Sequence, residues 1–395
     1  MMNTAKTEQQ VQSAGLLPNF IYSAERWKVI TFLVIANLLK SGIWFIPNLF
    51  ASRAVAQNPF VNPFSNWPEA HYIYWSWLAP FLAWCIGATR SWSFLAFHLA
   101  FSVAFTALFI ALTLVRFPDM EARTALVLFT VLPVSATPYF WVSMDSVTLL
   151  LMACALAVRK LWPLTFLIGV ALGMQHFEQS FCAAAALIMA LLLGRYFKSN
   201  VEYTITWSLA LMAGIVCGKV LLIALFMHWH VEVNSGRFYW LMGHFGELVN
   251  DFYYYFQYII YSVFGVGWLF VLKSAEQGRK SLPLFVAIFG VLLLLPISAD
   301  ETRVTAIVSF FLVSVFCLLN SSFLASLDQR FSSWILLTWL VVPYAWVWKG
   351  TPRWSVLPYD VALPLHKLFG WFSCRRIKRF GRLDDTVPQM GWEPG

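Results

Sequence analysis

Eleven continuous apolar runs separated by short polar segments leave this chain few ways to fold. They fall roughly at 29–48, 72–88, 93–115, 124–158, 161–175, 181–194, 204–227, 253–273, 281–298, 303–325 and 332–348. Most approach the ~20 residues with which an α-helix crosses about 30 Å of hydrocarbon. In lipid every backbone polar group has to be satisfied within the protein, so only helices and closed barrels span. The runs are continuously apolar instead of alternating with period two, which argues against a barrel. The expectation is an all-α polytopic membrane bundle of about eleven helices, in the range 10–12, with short or broken helices in its middle. Residues 1–28 form a cytoplasmic N-terminal segment, 29–348 the transmembrane domain and 349–395 a basic, amphipathic tail. A twelfth run at 355–373 is interrupted by Asp360, His366 and Lys367 and broken by Pro358 and Pro364.

Composition agrees with this class, since 60% of residues are hydrophobic and 12% charged, against about 25% charged in soluble domains. Residues 1–28 are polar, and the first apolar run is too long for the core of a cleavable signal and lacks a small-residue cleavage site, so the first helix is expected to stay as an anchor. The six cysteines stand singly, with no CxxC and no spacing of a disulfide framework or zinc site. His228-x-His230 lacks a third ligand. No cofactor is expected on these grounds, while a divalent cation stays open. The net charge of +8 is accounted for by topogenic charge and anionic headgroups, so no nucleic-acid partner is expected.

Lys and Arg in short loops orient such a bundle. Placing Lys6, Arg26 and Lys28 in the cytoplasm puts Arg90, Arg159-Lys160, Arg195 with Lys198, Lys273 with Arg279-Lys280, and Arg330 there as well. The opposite face then holds Arg53, Arg116, Arg123, Arg237, Arg303, Lys349 and Arg353.

On this map the ionisable residues gather on the exterior face, and an ionisable group at membrane depth is expensive enough to mark function. Glu69 and His71 precede the second run, His176 and Glu178 separate the two short runs, and Asp300-Glu301-Thr302-Arg303 separates the ninth from the tenth. The run 124–158 is too long for one helix and holds Pro133 and Pro138, so 124–140 is expected to be irregular and 141–158 helical. Counting from Arg159 at about 1.5 Å per residue lifts Asp145 roughly 20 Å into the exterior half. The runs 161–175 and 181–194 each reach only about 22 Å, so Met174 to Gln179 is read as a polar break facing a watery cavity. Lys40 and Lys219 lie well inside apolar runs, where pairing with an acid is expected. The segment 228–252 is read as exterior, with Arg237, His244, Glu247 and Asp251 interleaved with Phe238, Tyr239 and Trp240, as suits a sugar ring or an interfacial aromatic belt.

Each polar group also has a structural explanation. Glu69 beside Pro68 fits a first-turn acid favoured by the helix dipole, and Asp300 with Glu301 fits an N-cap and first turn. Arg303, in contrast, presents a planar fork of donors that matches phosphate.

The layout over 29–348 resembles the integral-membrane glycosyltransferases of the GT-C fold. The likeness rests on an acid in the first exterior loop (Glu69), acids at the exterior ends of middle helices (Asp145, Glu178), short or broken spans, and a late loop bearing Arg303. It implies Glu69 as general base for the acceptor and Arg303 as ligand of the phosphate of a polyprenyl-phosphate-linked sugar. The first exterior loop is short for that family, carries Glu where Asp is usual, and no large soluble C-terminal domain follows. The expected activity is transfer of a sugar from a lipid-phosphate donor to a glycan or lipid-linked acceptor, at the exterior face of a bacterial-type inner membrane. Glu69 or Asp145 would be the catalytic base, and His71, His176, Glu178, Arg237, Asp300, Glu301 and Arg303 would bind substrate. A polysaccharide polymerase of the O-antigen type would look much the same. A lipid-linked oligosaccharide flippase or other transporter would instead show charge on both faces and inverted repeats, and no repeat is found at any period.

Overall fold

The computed structural model describes residues 16–44, 48–67, 70–233 and 236–355. Glu69 and the run 355–373 beyond Ser355 lie outside the described residues. The described residues form a helical bundle, and among them five helices are long and apolar enough to cross a membrane: Ser91–Arg116, Trp162–Tyr196, Ile205–His228, the composite Trp240–Ile297, and Glu301–Leu318. A bent pair, Asp119–Val131 with Pro133–Phe140, makes up to six.

The elements in order are α1 (Leu16–Ser23), α2 (Arg26–Ser41), α3 (Asn48–Gln57), α4 (His71–Tyr74), α5 (Leu78–Cys85), α6 (Ser91–Arg116), α7 (Asp119–Val131), α8 (Pro133–Phe140), α9 (Asp145–Ala157) and α10 (Trp162–Tyr196). There follow α11 (Ile205–His228), α12 (Gly236–Phe264), α13 (Trp268–Lys273), α14 (Leu282–Leu292), α15 (Glu301–Val313), α16 (Ser321–Ser326), α17 (Gln329–Val341), β1 (Ala345–Trp348) and β2 (Thr351–Trp354). The helix α15 runs through the middle of the bundle: of the apolar window Glu301–Leu318, 89% is buried. A glutamate and an arginine can open it because protein, and not lipid, surrounds them.

Polar contacts sort the chain into two ends. At one, Arg26 meets Asp119 at 2.6 Å, and both Arg116 and Arg159 meet Glu202, at 3.3 and 2.7 Å. Ser199 there donates to the Lys280 carbonyl. At the other, the Trp44 amide donates to Tyr139 and the Val142 amide to Trp44, while Arg303 meets Asp145.

This sorting corrects the expected map. The run 72–88 is not a span, because it holds only the four-residue α4 and the eight-residue α5, which reach about 6 and 12 Å. Arg53 donates to Ser91, so Arg90 lies at the Asp145 end and not with Arg26. Arg116 and Arg123 move the other way: Arg123 bonds the carbonyls of Ile21 and Ala24 at 2.7 and 2.8 Å, at the Arg26 end. The run 124–158 is also not one irregular stretch and one helix. Residues 124–140 are helical in α7 and α8, bent by 51° at the extended residue Leu132 that Pro133 demands. From there α9 returns toward Arg159. The two changes offset each other, so Arg159 keeps the place the map gives it, at the Arg26 end.

The 35-residue α10 breaks at His176, where φ is −157° and ψ is 78°. Its middle lies at the Asp145 end, since the Gln175 amide donates to the Met144 carbonyl at 3.0 Å. Its start follows Arg159 and its last turn bonds Ser199, both at the Glu202 end. The helix therefore doubles back at His176. The first half runs parallel to α11 along a glycine seam in which a Cβ on Gly173 would stand 2.1 Å from the Ile215 carbonyl and one on Gly218 2.1 Å from that of Val170. Small residues are what allow two backbones to approach this closely in a membrane.

Two further expectations change. The segment 228–252 becomes helical from Gly236, as the start of α12. The run 332–348 ends its helix before Pro343 and finishes in an antiparallel β-hairpin, with Trp348 paired to Thr351 across a turn in which Lys349 and Gly350 both have positive φ, the geometry of a tight two-residue hairpin. Among the described residues the bundle is thus all-α apart from this hairpin.

Candidate functional site

The hairpin caps the N-terminus of α15. The Lys349 amide donates to the Ala299 carbonyl at 2.7 Å, the Val347 amide to the Thr302 hydroxyl at 2.9 Å, and the Gly350 amide to Glu301 Oε1 at 3.2 Å. Glu301 is 1% exposed and is thereby a clasp for the hairpin turn. Asp300 stands in the N-cap position but makes no side-chain cap hydrogen bond. Its carboxylate turns instead to Arg303, with Oδ2 2.6 Å from Nε.

Arg303 also reaches across the bundle. Its Nη1 donates to Asp145 Oδ2 at 2.8 Å, from the first turn of α15 to the first turn of α9. The same Asp145 oxygen accepts from the Ser143 hydroxyl at 3.2 Å. Two helix N-termini thus converge, and each is favourable ground for negative charge. Burial pushes the Asp300 carboxyl up to about 6; Arg303 opposes that shift, and Asp145 adds to it by repulsion.

The break in α10 adjoins this triad. Gln175 bridges two elements, accepting from the Ala79 amide at 2.8 Å and donating to Met144, the residue before Asp145. His176 is buried with Nδ1 3.9 Å from Glu178 Oε2. Lys219 lies 4.0 Å from Glu178 Oε1 and 3.5 Å above the Trp75 ring. An acid beside Lys219 was expected, and it is Glu178. Lys40 differs: its ammonium donates to the carbonyls of Trp339 and Val342 and covers the Trp339 ring, so the unfilled carbonyls at the end of α17 take the place of an acid.

Asp145, Asp300, Glu301 and Arg303 therefore come together, with His176, Glu178 and Lys219 beside them at the same end. His71 is buried and bonds the Phe64 carbonyl at 2.9 Å through Nε2, within its own loop. It belongs to the neighbouring helix α4, whose Tyr72 lies within electrostatic reach of Arg303. Arg237 is in the first turn of α12. Among the described residues no group of three His, Cys, Asp or Glu side chains could hold a metal ion. Tyr72 and Ser143 were not among the expected site residues, while Gln175 was read only as part of the polar break and Lys349 only as an exterior cation. Nothing in the sequence around Tyr72 or Ser143 sets either apart from its neighbours.

No protein-family model, curated protein or solved structure matches this chain.

Proposed function

We propose that the chain is a membrane glycosyltransferase of the GT-C kind, built on about eleven crossings, with its site at the Asp145 end on the exterior face. The orientation is supported by charge. Arg26, Lys28, Arg116, Arg123, Arg159, Lys160, Arg195, Lys198, Lys273, Arg279, Lys280 and Arg330 share the Glu202 end or the turns that lead into it. With Arg116 and Arg123 moved there, the positive bias is cleaner than the sequence map allowed.

The observation that carries the reading is the Asp145–Arg303–Asp300 triad, a largely buried cation held between two carboxylates. In the reaction the acceptor hydroxyl oxygen bonds the anomeric carbon while that carbon's bond to the phosphate oxygen breaks. The proton passes to a carboxylate, and the lipid phosphate leaves with the bonding electrons. Asp145 is the base of choice, since Arg303 and Ser143 fix its orientation through one oxygen. Glu69, two residues before His71, is the second candidate. The geometry changes what Arg303 can do, because Nη1 and Nε already face carboxylates. Its remaining edge would meet the phosphate.

The test is sugar transfer from a polyprenyl-phosphate donor by purified protein in proteoliposomes. Asp145→Asn should leave a folded protein with at least a hundredfold less turnover, the scale of one general base. Full specific activity in both Asp145→Asn and Glu69→Gln would overturn the reading.

A further inference from the structure

The Glu202 end holds a second charged cluster that the transfer reaction does not use. Arg116 closes α6 with its side chain 7% exposed. Its Nη1 donates to the Tyr203 hydroxyl at 2.7 Å and its Nη2 lies 3.3 Å from Glu202 Oε2, whereas its buried Nε makes no hydrogen bond. Arg159 donates from Nη2 to Glu202 Oε2 at 2.7 Å. Both guanidinium groups lie over the Tyr203 ring, at 5.0 and 5.7 Å. Tyr203 donates in turn to the Leu156 carbonyl at 3.4 Å, and burial pushes its hydroxyl up, so it stays a neutral link between the arginines and α9.

Charge in this cluster does not balance. Two guanidinium groups share one half-exposed carboxylate, and exposed Lys160 follows directly on Arg159. A buried arginine that shares its carboxylate with a second arginine, leaves its Nε without a partner and has a lysine close by is a site short of an anion. The residues next to it in sequence say where that anion comes from. Val115 is 89% exposed, Leu161 56% and Trp162 62%, an apolar skirt directly beside the arginines. Trp beside basic residues is the pattern of a hydrocarbon–headgroup boundary.

We propose that Arg116, Arg159 and Lys160 form a binding site for the phosphate of an anionic phospholipid, whose acyl chains lie along Val115 and Trp162. A soluble phosphate offers the same oxygens but nothing to cover the skirt. The lipid would fasten the ends of α6, α9 and α10 to one headgroup.

The experiment uses the full chain, stripped of lipid in detergent and titrated with phosphatidylglycerol or phosphatidylcholine under native mass spectrometry. Phosphatidylglycerol should be retained at lower concentration than phosphatidylcholine. Arg159→Gln should weaken that retention about fivefold and Arg159→Gln with Lys160→Gln further still, at roughly one such factor per basic group. Arg279→Gln, at the same end of the bundle but outside the cluster, should leave it unchanged. Equal retention of the two lipids, an equal loss in Arg279→Gln, or retention untouched in the Arg159 variants would each overturn the site. Full displacement of the lipid by millimolar inorganic phosphate would overturn the lipid as its occupant.

Discussion

Asp145 and Arg303, 158 residues apart, join the first turns of two helices through one hydrogen bond of 2.8 Å between side chains 5% and 19% exposed. Removing one partner of such a pair leaves a poorly solvated charge behind. Asp145→Ala should therefore lower stability by about 3 kcal/mol, toward the low end for a buried pair because Arg303 keeps Asp300. The double variant Asp145→Ala with Arg303→Met should be less damaged than the sum of the singles. Thermal unfolding in detergent reads both, and strict additivity would mean that the pair is not coupled.

A pH dependence follows from Asp300. Its folded pKa is raised to about 6, chiefly by burial, so the protonated form is favoured on folding. The stability this contributes is fully present below about pH 4 and is lost as pH rises through about 6. Unfolding scans should show a falling midpoint across that window, and Asp300→Asn should flatten it. An unchanged slope in the variant would assign the dependence to another group.

The glycine seam should be the least tolerant place in the bundle. A methyl group at Gly173 or Gly218 meets a carbonyl oxygen at 2.1 Å, so Gly173→Ala or Gly218→Ala forces α10 and α11 apart. Gly243 and Gly246 have nothing within 4 Å, so alanine there should be neutral or gain about 0.5–1 kcal/mol. Yield of monodisperse protein for the four variants decides it.

Labelling settles the sidedness. Cysteine placed at Arg90 should react from the same side as cysteine at Ser298, and cysteine at Lys160 from the opposite side. Reaction of position 90 together with position 160 would restore the map drawn from loop charges alone.

The class of fold was legible because continuous apolar runs have few solutions in lipid, and Asp145, Asp300 and Arg303 were legible because charge at that depth is costly. What stayed hidden depended on partners distant in the chain. Hydropathy could not separate a span from α5, an eight-residue helix just as apolar, nor tell that the long run 124–158 holds a bent helix pair followed by the returning helix α9. Period and composition gave no hint of the hairpin, whose turn is an inconspicuous Lys349-Gly350. The ion pair to Asp145 could not be foreseen from Arg303 either, since the sequence advertises a phosphate ligand while the fold uses most of the fork on carboxylates.

The reversal of α10 has a further consequence, for the kinds of change the chain can absorb. Most bundle helices meet through polar turns that accept an extra residue. Here two antiparallel halves join at a single non-helical residue, with no slack between them. One residue inserted after His176 would rotate the returning half by about 100°. The strip Ala183, Ala184, Leu187 and Leu191, now fully or almost fully buried, would swing toward the outside while Glu178 left the neighbourhood of Lys219. His176 thus fixes the phase of a helix and the address of a charge together, and neither can drift without the other.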